Sequence, residues 1–270
     1  EKGNINLWSI PAGVQEKTLR GHTKEVTQAV FTNDGRYLLT ASADSTIRLW
    51  NVETGNMEKI YVGHLDKVNG ISISPDGNYF VSCSDDGNVL MWEIMTEELV
   101  GIFEGHKGAV KTATFSPRGN YIVTGGVDGK VKKWDASSAQ QVLEFDLHSS
   151  PVNSVEVSAD GSTVVSGSDN GFVYVWDSTT GEVNHVLLGH DKSVSSVFIS
   201  KDGKYIISGS KERNPIVWDF KTGNEVTPLT GHMDRINDVC FTPYIKFPEE
   251  EVAQVNQNTN QEPEVLEEEI

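Results

Sequence analysis

The sequence predicts an all-β fold built from one unit that recurs along the chain. Every tryptophan lies on a spacing of 42 residues, at Trp8, Trp50, Trp92, Trp134, Trp176 and Trp218. Six of the seven histidines follow the same spacing, at His22, His64, His106, His148, His190 and His232. A regular repeat of this length is typical of folds in which each copy of a small unit stacks on the next.

Each unit contains four short apolar runs separated by turns. In the copy that begins at Gly21, the runs cover residues 26–31, 37–42, 46–50 and 57–62. The turns between them are Asn33-Asp34-Gly35, Ala43-Asp44-Ser45 and Glu53-Thr54-Gly55. Short runs bounded by Gly, Asn, Asp and Ser predict β-strands joined by tight turns, because these residues suit the backbone angles of such turns.

The units do not fill the chain evenly. Five complete copies begin at Gly21, Gly63, Gly105, Leu147 and Gly189. A sixth begins at Gly231 and yields only a first strand, over residues 236–241, while residues 4–8 and 16–20 match third and fourth strands. We expect both ends of the chain to combine in a sixth unit that lacks its second strand. A seven-unit parent with parts removed remains the alternative.

The early Gly-His pair, the late Trp-Asp pair and a spacing of about 40–45 residues resemble the WD40-repeat family over about residues 1–243. The resemblance implies a WD40 β-propeller in which each repeat forms one four-stranded blade. Five blades would be complete, and the N- and C-terminal strands would close the sixth. The resemblance also implies a scaffold that binds proteins or peptides, although such a fold does not define its partner.

The charge of the chain excludes some classes of partner. The net charge is −17 and the isoelectric point is about 4.7, so a nucleic-acid backbone would be repelled. Residues 244–270 contain eight glutamates and one lysine, with few apolar residues. We predict that they form a disordered acidic tail, which serves either as a binding arm for a basic partner or as a solubilising linker.

The cysteines and the apolar runs indicate a compartment. Cys83 and Cys240 lie in predicted strands of different units without metal-ligand spacing, which predicts two buried free thiols in a reducing environment. No signal peptide or membrane-length apolar run is visible, so we expect an intracellular protein, cytoplasmic or nuclear, without a membrane partner. The chain begins within a repeat and without Met, so we expect a part of a longer polypeptide or assembly.

Each unit also carries His, Ser or Thr, Asp and Trp at fixed offsets. The three complete sets are His22, Thr40, Asp44 and Trp50; His64, Ser82, Asp86 and Trp92; and His106, Thr124, Asp128 and Trp134. Ser, His and Asp together suggest a hydrolase triad, but a catalytic set is needed once, whereas this set recurs. The family resemblance implies a structural hydrogen-bond relay from Trp through the hydroxyl and His to Asp, which must be complete when buried. We therefore predict no enzyme activity.

The later units depart from this set. Asn170 replaces the aspartate in the fourth unit, and Glu212, one methylene too long, replaces it in the fifth. The sixth unit has His232 and Trp8 without the other two residues. We expect stability to fall toward this end. The histidines lie one per unit and do not converge, so neither a metal nor another cofactor is expected.

The resemblance places the usual contact face at the narrow top, around the central pore. The charged residues that map there are Glu25, Lys67, Asp85, Lys111, Asp169, Lys211 and Arg235. Together they carry an excess of one positive charge, although the chain as a whole is acidic. Lys211, Arg213 and Arg235 predict a basic cluster, which would suit a partner with an acidic or phosphorylated segment. A solvated rim without a ligand is the alternative.

The sequence leaves two functions open besides a general scaffold. A reader of modified peptides would use an aromatic or acidic pocket, and the rim positions contain no aromatic residue. A substrate receptor or regulatory domain of a larger enzyme is the other. One subclass of the family docks through Trp-Asp-x-Arg, and Trp134, Trp176 and Trp218 are each followed by Asp without the Arg.

Overall fold

The computed structural model describes residues 3–10, 12–212, 214–232 and 234–240, and this part of the chain forms strands and turns without a helix. A two-stranded sheet consists of β1 (Ile5–Trp8) and β2 (Gln15–Leu19). The first blade consists of β3 (Val26–Phe31), β4 (Tyr37–Ser42), β5 (Thr46–Asn51) and β6 (Met57–Val62). The second consists of β7 (Val68–Ile73), β8 (Tyr79–Ser84), β9 (Val89–Glu93) and β10 (Leu99–Phe103).

Three further blades follow with the same layout. The third consists of β11 (Val110–Phe115), β12 (Tyr121–Gly126), β13 (Val131–Asp135) and β14 (Gln141–Phe145). The fourth consists of β15 (Val152–Val157), β16 (Thr163–Ser168), β17 (Val173–Asp177) and β18 (Val183–Leu187). The fifth consists of β19 (Val194–Ile199), β20 (Tyr205–Ser210), β21 (Ile216–Asp219) and β22 (Glu225–Pro228). The repeated four-stranded blades confirm the predicted all-β propeller architecture.

Within each blade the four strands pair in sequence order and antiparallel. The turn between the first two strands contains Gly35 at φ 71°, a backbone angle that glycine adopts without a steric penalty. In the fifth blade β21 starts at Ile216, one residue later than β9, β13 and β17 on the 42-residue spacing. Pro215 precedes it and has no N–H to donate to a strand ladder, which accounts for the late start.

The apolar core lies between the blades. Leu39, Leu49 and Tyr61 of the first blade pack with Phe80 and Trp92 of the second, and all five are buried. Similar buried clusters lie between the second and third, third and fourth, and fourth and fifth blades. A blade with two apolar faces cannot cover both alone, so each one depends on its neighbours for stability.

The first strands of successive blades face a common channel. Side chains near the start of these strands donate hydrogen bonds to backbone carbonyls of the next repeat. The pairs are Thr27 to Val68 at 2.7 Å, Asn69 to Val110 at 2.7 Å, Asn153 to Val194 at 2.8 Å and Ser195 to Ile236 at 2.7 Å. These bonds fix the inner strands side by side and bring equivalent residues of different blades together at one end of the channel.

The sixth unit differs from the other five. Its β1 and β2 pack on the first blade through Leu19, and residues 236–240 lie against the fifth blade, where the Ile236 N–H donates to the Ser210 carbonyl at 2.9 Å. The predicted strand over residues 236–241 is not a regular strand in its described part. Cys240 is exposed, so the prediction that both thiols are buried is wrong for Cys240 and right for Cys83.

Trp8 shows the same difference in packing. Its side chain is 57% exposed, whereas Trp50 is 2% exposed. The Trp8 indole N–H makes no hydrogen bond to any residue whose position the structure describes. Because the described part of the sixth unit buries less apolar surface than the complete blades, we expect its contribution to stability to be smaller.

We predict that the backbone amides of β1 and β2 exchange with solvent faster than those of β8 and β9. Fewer buried contacts hold β1 and β2, so local opening costs less free energy there. Amide hydrogen exchange measured by mass spectrometry checks this. Equal protection of Asn6 and Phe80 would contradict it.

Residues 241–243, the predicted acidic tail at 244–270 and Arg213 lie outside the described residues. Among the residues with described positions, no helix is long and apolar enough to cross a bilayer. The same part of the chain contains no group of three or more His, Cys, Asp or Glu side chains placed to hold a metal ion.

Candidate interaction surface at the channel mouth

In each of the first three blades, a chain of hydrogen bonds links a tryptophan, a hydroxyl, a histidine and the aspartate of a turn. In the first blade, the Trp50 indole N–H donates to the Thr40 hydroxyl at 2.8 Å. The same hydroxyl lies 2.8 Å from His22 Nε2, and His22 Nδ1 lies 2.9 Å from the Asp44 carboxylate. In the second blade the corresponding distances are 3.0, 2.8 and 2.9 Å, among Trp92, Ser82, His64 and Asp86.

The third blade repeats this arrangement. The distances are 2.9, 2.7 and 3.0 Å, among Trp134, Thr124, His106 and Asp128. The carboxylate also holds the turn that it belongs to: in the first blade Asp44 accepts from the backbone N–H groups of Thr23 at 2.9 Å and Thr46 at 3.1 Å. One aspartate therefore connects two loops and one histidine at the same end of the blade.

The charge state of this network follows from its burial. Burial lowers the pKa of His22, against the opposing effect of Asp44, and does the same for His64 beside Asp86. Burial opposes ionisation of Asp44, but hydrogen bonds from Thr46, Thr23 and His22 outweigh it and hold its pKa below the usual value. At neutral pH the imidazole is therefore neutral, with Nδ1–H donating to the carboxylate and Nε2 accepting from the hydroxyl.

The hydroxyl groups of these sets are inaccessible. Thr40, Ser82 and Thr124 are fully buried, and each hydroxyl already accepts from a tryptophan and bonds to a histidine. A nucleophile must reach the substrate within about 3 to 3.5 Å, and no substrate can approach these oxygen atoms in this structure. The arrangement can hold two strands and a turn together, and it cannot attack a bound ligand.

In the fourth blade the network is interrupted. Trp176 donates to Ser166 at 2.7 Å and Ser166 lies 2.7 Å from His148 Nε2. His148 Nδ1, however, is buried without a hydrogen-bond partner among the residues that the structure describes. The Asn170 amide instead donates to the Ser149 hydroxyl at 3.2 Å. With no carboxylate beside it, burial lowers the pKa of His148 to about 4.

In the fifth blade the hydrogen-bond network extends from the tryptophan to the acidic residue of the turn. Trp218 donates to Ser208 at 2.8 Å, and Ser208 lies 2.7 Å from His190 Nε2. Glu212 contacts His190 Nδ1, so the expectation that its extra methylene makes it too long for this position is wrong. The longer side chain reaches the ring from a more exposed position than the aspartates occupy, with 24% of Glu212 exposed against 6% of Asp44. His232 of the sixth unit is exposed.

The channel mouth lies at the end of the blades that contains these turns. A cavity of about 460 Å³ is lined there by Thr27, Asn69, Lys111, Asn153, Ser195 and Asn237. The next layer consists of Gln28, Gly70, Thr112, Ser154, Ser196 and Asp238. Nearly all of these residues are polar, so the cavity favours water and hydrogen-bonding groups over an apolar ligand.

Lys111 occupies the position at which other blades have Thr, Asn or Ser. Its ammonium group forms an ion pair with Asp85 at 2.6 Å, and Asn69 donates to the same carboxylate oxygen at 2.8 Å. Burial opposes ionisation of Asp85, but the bonds from Asn69 and Lys111 lower its pKa, and the charge of Lys67 adds to this effect. Three of the predicted rim residues therefore form one group, in which the charges of Lys111 and Lys67 act on the carboxylate of Asp85.

Asp169 forms a second group of this kind. It accepts hydrogen bonds from Asn153 at 2.8 Å and from Ser193 at 2.5 Å, and Lys211 lies 3.9 Å away. The Lys211 ammonium is beyond hydrogen-bond distance, and more than half of its side chain is exposed. Lys211 can therefore turn toward a ligand without leaving Asp169 unsatisfied.

The remaining rim residues lie apart from these two groups. Glu25 and Arg235 are exposed, and neither forms an ion pair with any residue of described position. The Arg235 backbone N–H donates to Asp234 at 2.7 Å. Arg213 lies outside the described residues, so the predicted cluster with Lys211 and Arg235 stays a prediction.

The structure contains one half-buried carboxyl, Glu156, that the sequence patterns did not indicate. Glu156 lies in β15, where the preceding two blades have Ser72 and Thr114 on the 42-residue spacing. Burial raises the pKa of Glu156 to about 7, and its carboxyl makes no hydrogen bond or ion pair with any residue that the structure describes. The sequence did contain a sign of this residue, because Glu156 is the one charged residue in a strand that otherwise contains Val, Ser and Asn.

Comparison with known proteins identifies the structural class of this chain. The repeated blades and the Trp-to-Asp networks define a WD40-repeat β-propeller, and residues 13–51 match the family described as WD domain, G-beta repeat. Residues 67–212 match the family described as WDR90, 4th beta-propeller. Because this match spans more than half of the chain, the chain belongs to that family of WD40 propellers. No curated protein matches the chain. WD40 propellers generally mediate protein–protein interactions and are generally non-catalytic.

Proposed function

We propose that this chain is a non-catalytic scaffold that binds protein or peptide partners at the channel mouth, as a domain or subunit of a larger assembly. The observation that carries the proposal is the pair of carboxylates at the mouth, each held by neutral donors and accompanied by lysine. Asp85 has Asn69 and Lys111, and Asp169 has Asn153, Ser193 and Lys211. Such ordered polar groups on an open face suit recognition of an extended segment.

We propose further that the partner contributes acidic or phosphorylated groups. Asp169 is already satisfied by Asn153 and Ser193, so Lys211 is available to a ligand oxygen. Lys67 and Arg235 form no ion pair with the residues of described position. Three cations with unfilled donor capacity on one face attract carboxylate or phosphate, and charge-assisted hydrogen bonds to such groups are about twice as strong as neutral ones.

The non-catalytic part of the proposal is supported by the buried networks. The Ser, His and Asp residues that resemble a triad recur in successive blades, and their hydroxyls are inaccessible. A recurring, fully bonded set is what a structural role requires. The thiol of Cys83 is buried, and burial raises its pKa to about 12, so it is not available as a nucleophile.

The test is quantitative affinity capture from cell extract with three baits. One bait is the unchanged chain, and the second carries Lys67→Glu, Lys211→Glu and Arg235→Glu. The matched control carries Lys201→Glu, Lys204→Glu and Lys221→Glu, an equal change of charge on exposed lysines away from the mouth. We expect defined partners to fall by about tenfold or more with the second bait, and to remain with the control.

Two results would contradict the proposal. Partners retained equally by all three baits would place the contact elsewhere. Partners lost equally with the control would show an effect of total charge. Phosphatase treatment of the extract then separates the two partner chemistries, because only a phosphorylated segment loses binding on treatment while a carboxylate segment does not.

A further inference from the structure

A second cavity lies at the opposite end of the blades from the channel mouth, between the second and third blades. Its volume is about 420 Å³, and its wall includes Tyr79, Met91, Val100, Phe115 and Ala136. The turn residues Pro75 and Arg118 form part of its edge. Val100 is 44% exposed, so apolar surface is open to solvent there. We call this cavity the blade 2–3 groove.

The groove is open because this junction lacks contacts that the junction between the first and second blades has. Between the first and second blades, Asn33 donates to the carbonyls of Ser74 at 3.2 Å and Pro75 at 3.1 Å. The residue 42 positions after Asn33 is Pro75, whose side chain has no donor, so no such bond crosses to the third blade. Ile94, buried in the second blade, is replaced by the smaller Ala136 in the third.

The hydroxyl of Tyr79 is also free to bind. Its counterpart in the third blade, Tyr121, donates to the carbonyl of Gly161 in the fourth blade at 2.6 Å. The Tyr79 hydroxyl has no hydrogen bond to any residue that the structure describes, although Tyr79 lines the groove. A donor without a partner beside an apolar wall is a feature of sites that orient a ligand.

Arg118 places a positive charge at one edge of the groove, in an acidic protein. Four other hairpins have aspartate at this position, Asp34, Asp76, Asp160 and Asp202. Each accepts from a hydroxyl of its own turn, as Asp34 does from Thr32 at 2.6 Å. In the third blade Ser116 donates instead to Asn120 at 3.0 Å. The Arg118 guanidinium is exposed, and it forms no ion pair or hydrogen bond with the described residues.

We propose that the blade 2–3 groove is a second docking site, for a protein segment that has an aliphatic or aromatic side chain next to a carboxylate. The apolar side chain fills the space beside Met91 and Ala136. The carboxylate binds the Arg118 guanidinium, whose planar set of donors matches two carboxylate oxygens. The Tyr79 hydroxyl donates to a backbone carbonyl of the segment.

The charges at the edge also set the direction of the segment. Asp76 lies at the groove, and its carboxylate is engaged by the Ser74 hydroxyl and by Asn78. A second carboxylate is repelled on that side and attracted on the side of Arg118. A volume of about 420 Å³ holds one or two side chains, so the site recognises a short motif rather than a folded surface.

The test uses synthetic peptides of about ten residues and methyl NMR of the whole chain. The probes have a Gly-Ser framework with a central Leu-Glu, Phe-Glu, Leu-Gln or Phe-Gln pair. We expect the Glu peptides to shift the methyl signals of Met91 and Ala136, and the Gln peptides to bind at least about tenfold more weakly. The two residues are close to the proposed apolar side chain and are separate from the channel mouth.

Two variants copy what other blades already contain, so both are expected to fold. Arg118→Asp restores the turn residue of the other hairpins, and Ala136→Ile restores the bulk of Ile94. We expect each to weaken the Leu-Glu peptide by at least about tenfold. The variant with Lys67→Glu, Lys211→Glu and Arg235→Glu is expected to bind it unchanged, which separates this site from the channel mouth.

The proposal is overturned by any of four results. These are no methyl shift with any of the peptides, equal binding of Glu and Gln peptides, full binding by both Arg118→Asp and Ala136→Ile, or loss of binding in the channel-mouth variant. The first three remove the groove as a site for this chemistry. The last would assign the peptide to the channel mouth instead.

Discussion

Replacing Asp86 with Asn is expected to destabilise the protein by about 2–3 kcal/mol, and replacing Asn170 with Asp to stabilise it by about 1–2 kcal/mol. Asp86 accepts from His64 Nδ1 and from the Leu65 and Asn88 backbone N–H groups, each at 2.9 Å. An amide has only one acceptor oxygen, so the first change leaves buried donors without partners.

The second change reverses this situation in the fourth blade. His148 Nδ1 is buried without a partner among the described residues, and a carboxylate at residue 170 would accept a hydrogen bond from the Nδ1–H group. Urea unfolding at pH 7 measures both effects. NMR titration adds a specific readout, because the pKa of His148 should rise from about 4 once a carboxylate faces it. A stability gain without a change in this pKa would show that Asn170→Asp acts by another route.

Two results would contradict this account of the networks. One is a cost below about 0.5 kcal/mol for Asp86→Asn, the range of ordinary surface substitutions. The other is a destabilising effect of Asn170→Asp. The two variants serve as controls for each other, because they exchange Asp and Asn in opposite directions at the same position of the repeat.

Replacing Glu156 with Gln is expected to stabilise the protein by up to about 3 kcal/mol at pH 8 and to leave its stability nearly unchanged at pH 4.5. Burial raises the pKa of Glu156 from 4.5 to about 7. Below pH 4.5 the carboxyl is protonated in both the folded and unfolded chain, so ionisation costs nothing.

Between pH 4.5 and pH 7 the unfolded chain releases this proton while the folded chain keeps it, so stability falls as the pH rises. Above pH 7 both states are ionised, and the folded chain holds an uncompensated charge. Gln does not ionise, so the difference between variant and unchanged protein should grow across this window. Urea unfolding at pH 4.5, 6 and 8 measures it.

The control for Glu156→Gln is Glu98→Gln, which removes the same charge from an exposed position. We expect its effect to be small and independent of pH, as is usual for isolated surface charges. An equal pH dependence for both variants would show that total charge, rather than burial of Glu156, controls the stability.

Much of the fold was predictable because the repeat recurs along the sequence at a fixed spacing of 42 residues. The positions of Trp, His and the turn residues define strand order, and antiparallel pairing then brings Trp50, Thr40 and His22 together. Such arrangements depend on local turns and alternation, which a single sequence contains.

The rim and the buried acid were less predictable. Spacing places Lys111 and Asp85 at the same end of adjacent blades, but the ion pair between them depends on side-chain rotamers and on Asn69. The partial burial of Glu156 depends on how closely neighbouring first strands pack, which the spacing does not define. Cys240 is exposed in a described segment that forms no regular strand, whereas its position in the repeat predicted a buried strand.

The most direct test of the scaffold function is the footprint of a captured partner on this chain. Hydrogen–deuterium exchange would be measured for the chain alone and with a purified partner from the capture experiment. We predict protection of residues 64–69, 106–112 and 190–195, which surround the channel mouth. A footprint that leaves all three segments unchanged would contradict the assignment of the channel mouth as the principal contact surface.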